Sequence, residues 1–363
     1  MRVKIAELQE GCILTKDIYS WTNKPIVAKK TVLTREVIDV LHAFLIKDVT
    51  VEKTLVNGMP FIPAEVIEDD KPKAIEKTEK VIKSFIDLYL EAVQDYKKEF
   101  ISWQSGLTIK IGPIRALLLP LLEMLEDSPS EIFELHHLSK KDDYLYHHAV
   151  TVGLLSGFIG KKLNYPKGDW VQLALAGCLA DCGMAKVNPV ILHKKTSLNA
   201  HEYEDVKKHP VYSYKLVQSI PALRNEAKIA ILQHHERIDG SGYPLGDTST
   251  KIHPFAKIIA VADMFHAMTS ERAYKGKQSP FKVLEMILQD SFGKFDMSVV
   301  KVLSSALMNF SIGSKVKLSD GQTAEIIFID QQNPTRPLVK LMETNDIIHL
   351  EKNRHLYIDE IKQ

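Results

Sequence analysis

Between residue 114 and about residue 308, almost every window of the chain repeats its apolar residues at helical spacing. The repeat is interrupted where Pro, Gly, Ser and Asn gather, at 127–130, 164–168, 188–199 and 239–253. Either side of this stretch the rhythm changes. Residues 1–70 read as an N-terminal α+β module whose patterned part ends near residue 65. Its β-rich runs at 2–5, 25–28 and 49–52 surround a helical run at 34–45. From 71 to about 100 the chain is dense in Lys and Glu, with Val81, Phe85, Leu88, Leu90 and Val93 at helical spacing. This predicts a connecting helix within 71–113, one that packs on its own domain, joins two domains, or pairs with a second chain to make a homodimer. After residue 310, β-branched alternation at 314–318 and 324–329 flanks a Ser-Asp-Gly-Gln turn, and further runs follow at 337–342 and 347–349. The fold class is therefore mainly α. An all-helical bundle at 114–310 is flanked by a small α+β module and by a small β domain at 311–363.

Composition adds exclusions. With 47 basic and 46 acidic residues the net charge is +1, which gives no reason to expect nucleic acid or a membrane surface as a partner. The N-terminus lacks the apolar core of a signal peptide. The longest apolar run, 116–122, is far short of a membrane span and contains Pro120. Cys12, Cys178 and Cys182 form neither a disulfide framework nor a CxxC pair. A cytoplasmic protein is expected, with Cys178 and Cys182 as a buried structural pair.

Candidate chemistry sits in the helical stretch, where His148, Asp181, His209, His234, His235 and Asp263 stand tens of residues apart. Asp181 and Asp263 each interrupt an apolar run, and a buried aspartate needs a cation or several donors. The first is read as lying inside a helix. The His234–His235 pair falls where a helix should end, ahead of a Gly-rich loop. Two carboxylates and four imidazoles converging from different helices would hold one or two divalent metal ions. Such a pair of ions suits phosphodiester hydrolysis, because metal charge acidifies water and neutralises phosphate. The segment running from His234 through Asp239-Gly240-Ser241-Gly242-Tyr243-Pro244 is the most specific in the chain. Its glycines permit close backbone approach, and Pro244 stiffens the exit.

Residues 142–302 resemble the HD-GYP family of HD-superfamily phosphodiesterases, which linearise cyclic di-GMP. Asp142 through His148 resembles the opening motif, Lys208-His209-Pro210 the next ligand segment, and His234 to Pro244 the GYP signature. Val261 through Lys275 resembles the last motif. The resemblance implies iron or manganese as the metal. It assigns one ion to His148, Asp181 and Asp263, and a second to His209, His234 and His235, with Asp181 bridging. Arg272 and Lys275 fall where the family contacts substrate phosphates, as charge-assisted donors should. Gly242, Tyr243 and Pro244 line the substrate side.

The departures are specific. The family's His-Asp dipeptide falls on Ala180-Asp181, and its following lysine falls on Met184, with Lys186 two residues beyond as a stand-in. The family's third-metal carboxylate position is Tyr144, which limits the expectation to two ions. Two readings follow. One is a weakened metal-dependent cyclic di-GMP phosphodiesterase with Asp181 as its central catalytic residue. The other is an inactive module that binds cyclic di-GMP or a partner such as a GGDEF-type cyclase.

Overall fold

The computed structural model describes residues 1–19, 25–44, 46–66, 83–139, 142–194, 196–271, 278–289, 293–307, 311–330 and 333–362. Arg272, Lys275 and the start of the expected connecting helix, 71–82, lie outside them. The chain divides into two compact units, Met1–Lys98 and Glu99–Gln363.

In the first unit, strands β1 (Arg2–Lys4) and β4 (Asp48–Thr50) pair antiparallel, as do β2 (Ile18–Tyr19) and β3 (Pro25–Val27). Helix α1 (Arg35–Ala43) starts where the Thr34 hydroxyl accepts from the amide of Val37, an N-cap that satisfies a donor the helix itself cannot. Its Ile38 and Leu41 join Val3, Leu14, Leu33 and Val51 in a closed apolar core. Strand β2 is absent from the sequence reading, since two residues carry no readable alternation.

The second unit is helical at its centre. Helix α2 (Phe85–Gln104) crosses the division between the units, and α3 (Ile111–Asp127) follows. After the short α4 (Glu131–Glu134) come α5 (Tyr144–Lys162) and α6 (Lys167–Leu179), which pack along each other. Both are apolar almost all round, as interior helices must be: α5 is buried continuously from Tyr146 to Gly160. Then follow α7 (Pro189–Leu192) inside the expected loop, α8 (Ala200–Val206), α9 (His209–Val217), α10 (Asn225–Gln233) and α11 (Pro254–Thr269). Helix α8 opens on a capping box in which Asn199 and Glu202 exchange hydrogen bonds. Helices α12 (Pro280–Gln289) and α13 (Met297–Leu307) complete the bundle.

One element departs from the sequence reading at the site. Asp181 does not lie inside a helix: α6 ends at Leu179, and a 3-10 turn, Cys182–Lys186, begins after Asp181. Gly183 explains the break. A Cβ there would stand 2.2 Å from the carbonyl oxygen of His209 and 2.4 Å from the amide of Ser213. Glycine lets the turn press against the start of α9, where the Gly183 amide donates to Ser213 Oγ (2.8 Å) and that hydroxyl donates to the Ala180 carbonyl (2.6 Å). Asp181 is thereby carried to His209. All three cysteines are buried and free, which for Cys178 and Cys182 is as expected.

The tail is a five-stranded antiparallel sheet ordered β8-β7-β6-β5-β9, with β5 at Lys315–Leu318, β6 at Thr323–Phe328, β7 at Leu338–Leu341, β8 at Ile347–His349 and β9 at Ile358–Lys362. The 5–6 hairpin turns at Asp320-Gly321, where Gly321 has φ +88°. Strand β9 was not legible, because Ile358-Asp-Glu-Ile-Lys alternates too weakly. No helix among the described residues is long and apolar enough to cross a membrane.

Candidate metal centre

Five segments bring the six predicted residues together. His148 comes from the first turns of α5, Asp181 from the α6 break and His209 from the first position of α9. His234 and His235 sit just past α10, and Asp263 lies mid-way along α11. The carboxylate of Asp181 stands at the centre. Its Oδ1 is 3.0 Å from His209 Nε2 and 3.4 Å from His234 Nε2, while its Oδ2 faces His148 Nε2 at 3.5 Å. Asp263 spans the other side, with Oδ1 2.9 Å from His148 Nε2 and Oδ2 3.5 Å from His235 Nδ1. One ligand atom from each of Asp181, His209, His234 and His235 falls within 4.8 Å of the others.

Hydrogen bonds on the far side of two rings fix their tautomers. His209 Nδ1 donates to the Val206 carbonyl and His234 Nδ1 to the Ile231 carbonyl, each at 2.7 Å. A carbonyl can only accept, so both Nδ1 atoms carry protons and both Nε2 lone pairs point inward. Asp181 Oδ1 is buried with no hydrogen-bond donor aimed at it. A buried group of acceptors with nothing between them calls for a cation. This donor set, imidazole nitrogens with a carboxylate, suits a first-row divalent metal.

Protons are the competing cations. Burial would raise the Asp181 carboxyl, but the imidazole of His209, then those of His234 and His148, holds it well below the usual carboxylate range. Asp263 is opposed by burial in the same way and is lowered by the neighbouring imidazoles of His148 and His235. Burial, then the adjacent His234, pushes His235 well below the ordinary imidazole value, so it stays neutral and able to bind metal.

The predicted loop forms one wall. A Cβ on Gly242 would lie 2.4 Å from the Arg237 amide and 2.5 Å from the Glu236 Cα and the His235 carbonyl oxygen. Only glycine passes there. The buried carboxylate of Glu236 accepts from the amides of Leu245 (2.7 Å) and Asp247 (3.0 Å), tying the loop exit to its entrance. The Tyr243–Pro244 bond is cis. The Tyr243 ring lies 4.7 Å from that of His235, and the Lys207 ammonium stands 5.6 Å from the centre of the Tyr243 ring. Burial, with Asp263 and Asp181 nearby, raises the Tyr243 hydroxyl.

Ala180 lines a small cleft with His148, Gly177, Asp181, His234 and Asp263. Lys186 does not reach it. Its ammonium donates to the Trp103 carbonyl at 3.0 Å, because the 3-10 turn aims it away from the cluster. Sequence reasoning missed three side chains near the centre and read a fourth, Tyr144, only as a lost ligand position. His266 and Tyr144 meet the outer nitrogen of His148, Ser270 meets His266, and Ser213 supports the Asp181 turn. The i,i+3 spacing of Asp263 and His266 on one helix was the signal available for His266.

Residues 123–299 match the HD domain family model. The chain is 31% identical over 219 residues to the cyclic di-GMP phosphodiesterase PdeB of Borreliella burgdorferi, covering 60% of this chain and 57% of that protein. It is 29% identical over 213 residues to the cyclic di-GMP phosphodiesterase PA4108 of Pseudomonas aeruginosa, covering 59% and 51% respectively. A cyclic di-GMP phosphodiesterase of Thermotoga maritima is 38% identical over 154 residues, covering 41% of this chain and 42% of that protein. The chain thus spans about half the length of the curated relatives it matches. Among solved structures, Bd1817, an HDG"Y"P protein from Bdellovibrio bacteriovorus, superposes with a TM-score of 0.51 at 14% identity, covering 85% of this chain and 99% of that one. That is a likeness of fold. The chain thus carries an HD domain at its centre, and over that region it is similar to these cyclic di-GMP phosphodiesterases.

Proposed function

We propose that this chain hydrolyses the phosphodiester bond of a cyclic dinucleotide, cyclic di-GMP first among them, at a metal centre weakened by Ala180 and Met184. The observation that carries the reading is the buried, inward-facing set of acceptors around Asp181, whose Oδ1 lies 3.0 Å from a histidine lone pair. Asp181, His209, His234 and His235 would hold one divalent ion, with His148, Asp181 and Asp263 available to a second. Iron or manganese bound there would acidify water and offset the negative charge that builds on phosphate. Asp181 directs one oxygen to each histidine group, which suits a bridging role. Gly242, Tyr243 and Pro244 form the wall against which a nucleotide would lie, and Arg272 and Lys275 would neutralise its phosphates. Relatives named for cyclic di-GMP, and others named as 3'3'-cGAMP-specific phosphodiesterases, support the substrate class.

A second reading rests on Ala180, which offers no ligand to the cleft it lines. In it, the module binds cyclic di-GMP, or a partner such as a GGDEF-type cyclase, without turnover. One assay separates the two: cyclic di-GMP hydrolysis by protein purified without oxygen and loaded with manganese or iron, with metal counted in the same sample. Turnover that Asp181→Ala abolishes supports the enzyme. Tight binding without turnover selects the second reading, and neither binding nor turnover overturns both.

A further inference from the structure

His209 and His234 are each held by a backbone carbonyl, a fixed acceptor. His148 is not. Its Nδ1 faces the Nδ1 of His266 at 2.9 Å, and His266 is 1% exposed. His266 lies one turn after Asp263 on the same face of α11, and its Nε2 in turn meets the Ser270 hydroxyl at 3.1 Å. Tyr144 stacks on the His148 ring at 5.2 Å and brings its hydroxyl to 3.2 Å from the same Nδ1.

Two ring nitrogens 2.9 Å apart share one proton: with none the lone pairs repel, and with two the hydrogens collide. For His148 to hold a metal through Nε2, that nitrogen must be bare and Nδ1 must carry the proton. His266 Nδ1 must then accept, which leaves the His266 proton on Nε2, where Ser270 Oγ accepts it. We infer that His266 is a positioning residue that takes the Nδ1 proton of His148 and, backed by Ser270, fixes the tautomer and ring orientation in which Nε2 can bind metal. The inference rests on the reading of His148 as a metal ligand. It matters most on this side of the cluster, where Ala180 contributes no ligand and three side chains must suffice. Partners of this kind commonly govern affinity by about 10–100-fold.

The test is manganese binding by equilibrium dialysis, with folding checked in each variant by thermal melting. Asparagine places its amide near the Nδ1 position of the histidine it replaces, whereas glutamine places it near Nε2. His266→Gln is expected to weaken one of two manganese sites about 10–100-fold and leave the other unchanged. His266→Asn is expected to restore it to within a few-fold of the original. No effect of His266→Gln, or equal losses in both variants, overturns the inference. Should His266→Gln not fold, Ser270→Ala carries the test. It strips the acceptor from His266 Nε2, draws the proton to Nδ1 and weakens the same site; unchanged binding overturns the inference. His148→Ala separates the two levels. If it leaves manganese content unchanged, the ligand reading fails and the inference with it. If it removes one ion while His266→Gln removes none, the inference alone fails.

Discussion

Replacing Arg336 by methionine removes half of an ion pair in which both side chains are 5% exposed. The guanidinium binds Glu285 of α12 through Nε at 2.8 Å and again through a second nitrogen. It also donates to the carbonyls of Leu350 (2.9 Å) and Leu356 (2.6 Å) in the loops of the C-terminal sheet. This one side chain therefore joins the sheet to the bundle, beside a hydroxyl bond from Ser279 to the Ile358 carbonyl. Stranding one member of a buried pair costs about 3–5 kcal/mol, most of it from the charge left behind. Lys282, 3.5 Å from the other oxygen of Glu285 and 31% exposed, offsets part of that and places the expectation near 3 kcal/mol. In a unit of this size each kcal/mol moves the midpoint by about 2–4 °C, so Arg336→Met should lower Tm by roughly 6–12 °C. Urea unfolding followed by tryptophan fluorescence measures the same loss, and an unchanged slope confirms that the same surface unfolds. The double change Arg336→Met with Glu285→Leu removes both charges and should recover most of it. A single variant losing under about 1 kcal/mol, or a double variant no better than the single, would refute the reasoning.

Three further outcomes follow from the site. Gly242→Ala must push backbone atoms at 2.4–2.5 Å out to normal contact; it should cost about 1–3 kcal/mol and lower metal content, and a loss within about 0.5 kcal/mol counts against the close approach. Protein stripped of metal should lose stability as pH falls below about 6.5, because the largely desolvated His235 resists the proton that the unfolded chain accepts there, with a slope of at most ~1.4 kcal/mol per pH unit. The depressed carboxyls of Asp181 and Asp263 add their loss only below about pH 3.8; urea midpoints between pH 3 and 8 resolve both phases, and His235→Gln should flatten the first. Ala180→His puts an imidazole into the cleft between His148 and Asp263, and should tighten the weaker manganese site by about 10–100-fold in dialysis; unchanged binding means that this side was lost for reasons beyond the ligand.

What the sequence showed, and what it hid, follows from which groups are costly alone. Asp181 and Asp263 stood out because an aspartate in an apolar run has no cheap explanation, and the His234–His235 pair because it sat at a predicted helix end. Their convergence was then nearly forced, since only a shared cation makes so many buried acceptors tolerable. The α6 break at Asp181 was less visible. Its cause is Gly183 touching α9, a contact between segments some 30 residues apart, and the string Leu-Ala-Asp-Cys-Gly reads locally as helix. Arg336 was hidden in the same way. Asn-Pro-Thr-Arg-Pro has the composition of an exposed turn, and its burial comes from α12, about 50 residues earlier. His266 was the hardest to see, because a neutral imidazole that accepts one hydrogen bond and donates another is satisfied wherever a helix can supply both. Supporting side chains of this kind leave no excess of charge or polarity in the sequence. Geometry alone reveals them, and in this cluster His148 is the histidine whose outer nitrogen meets one.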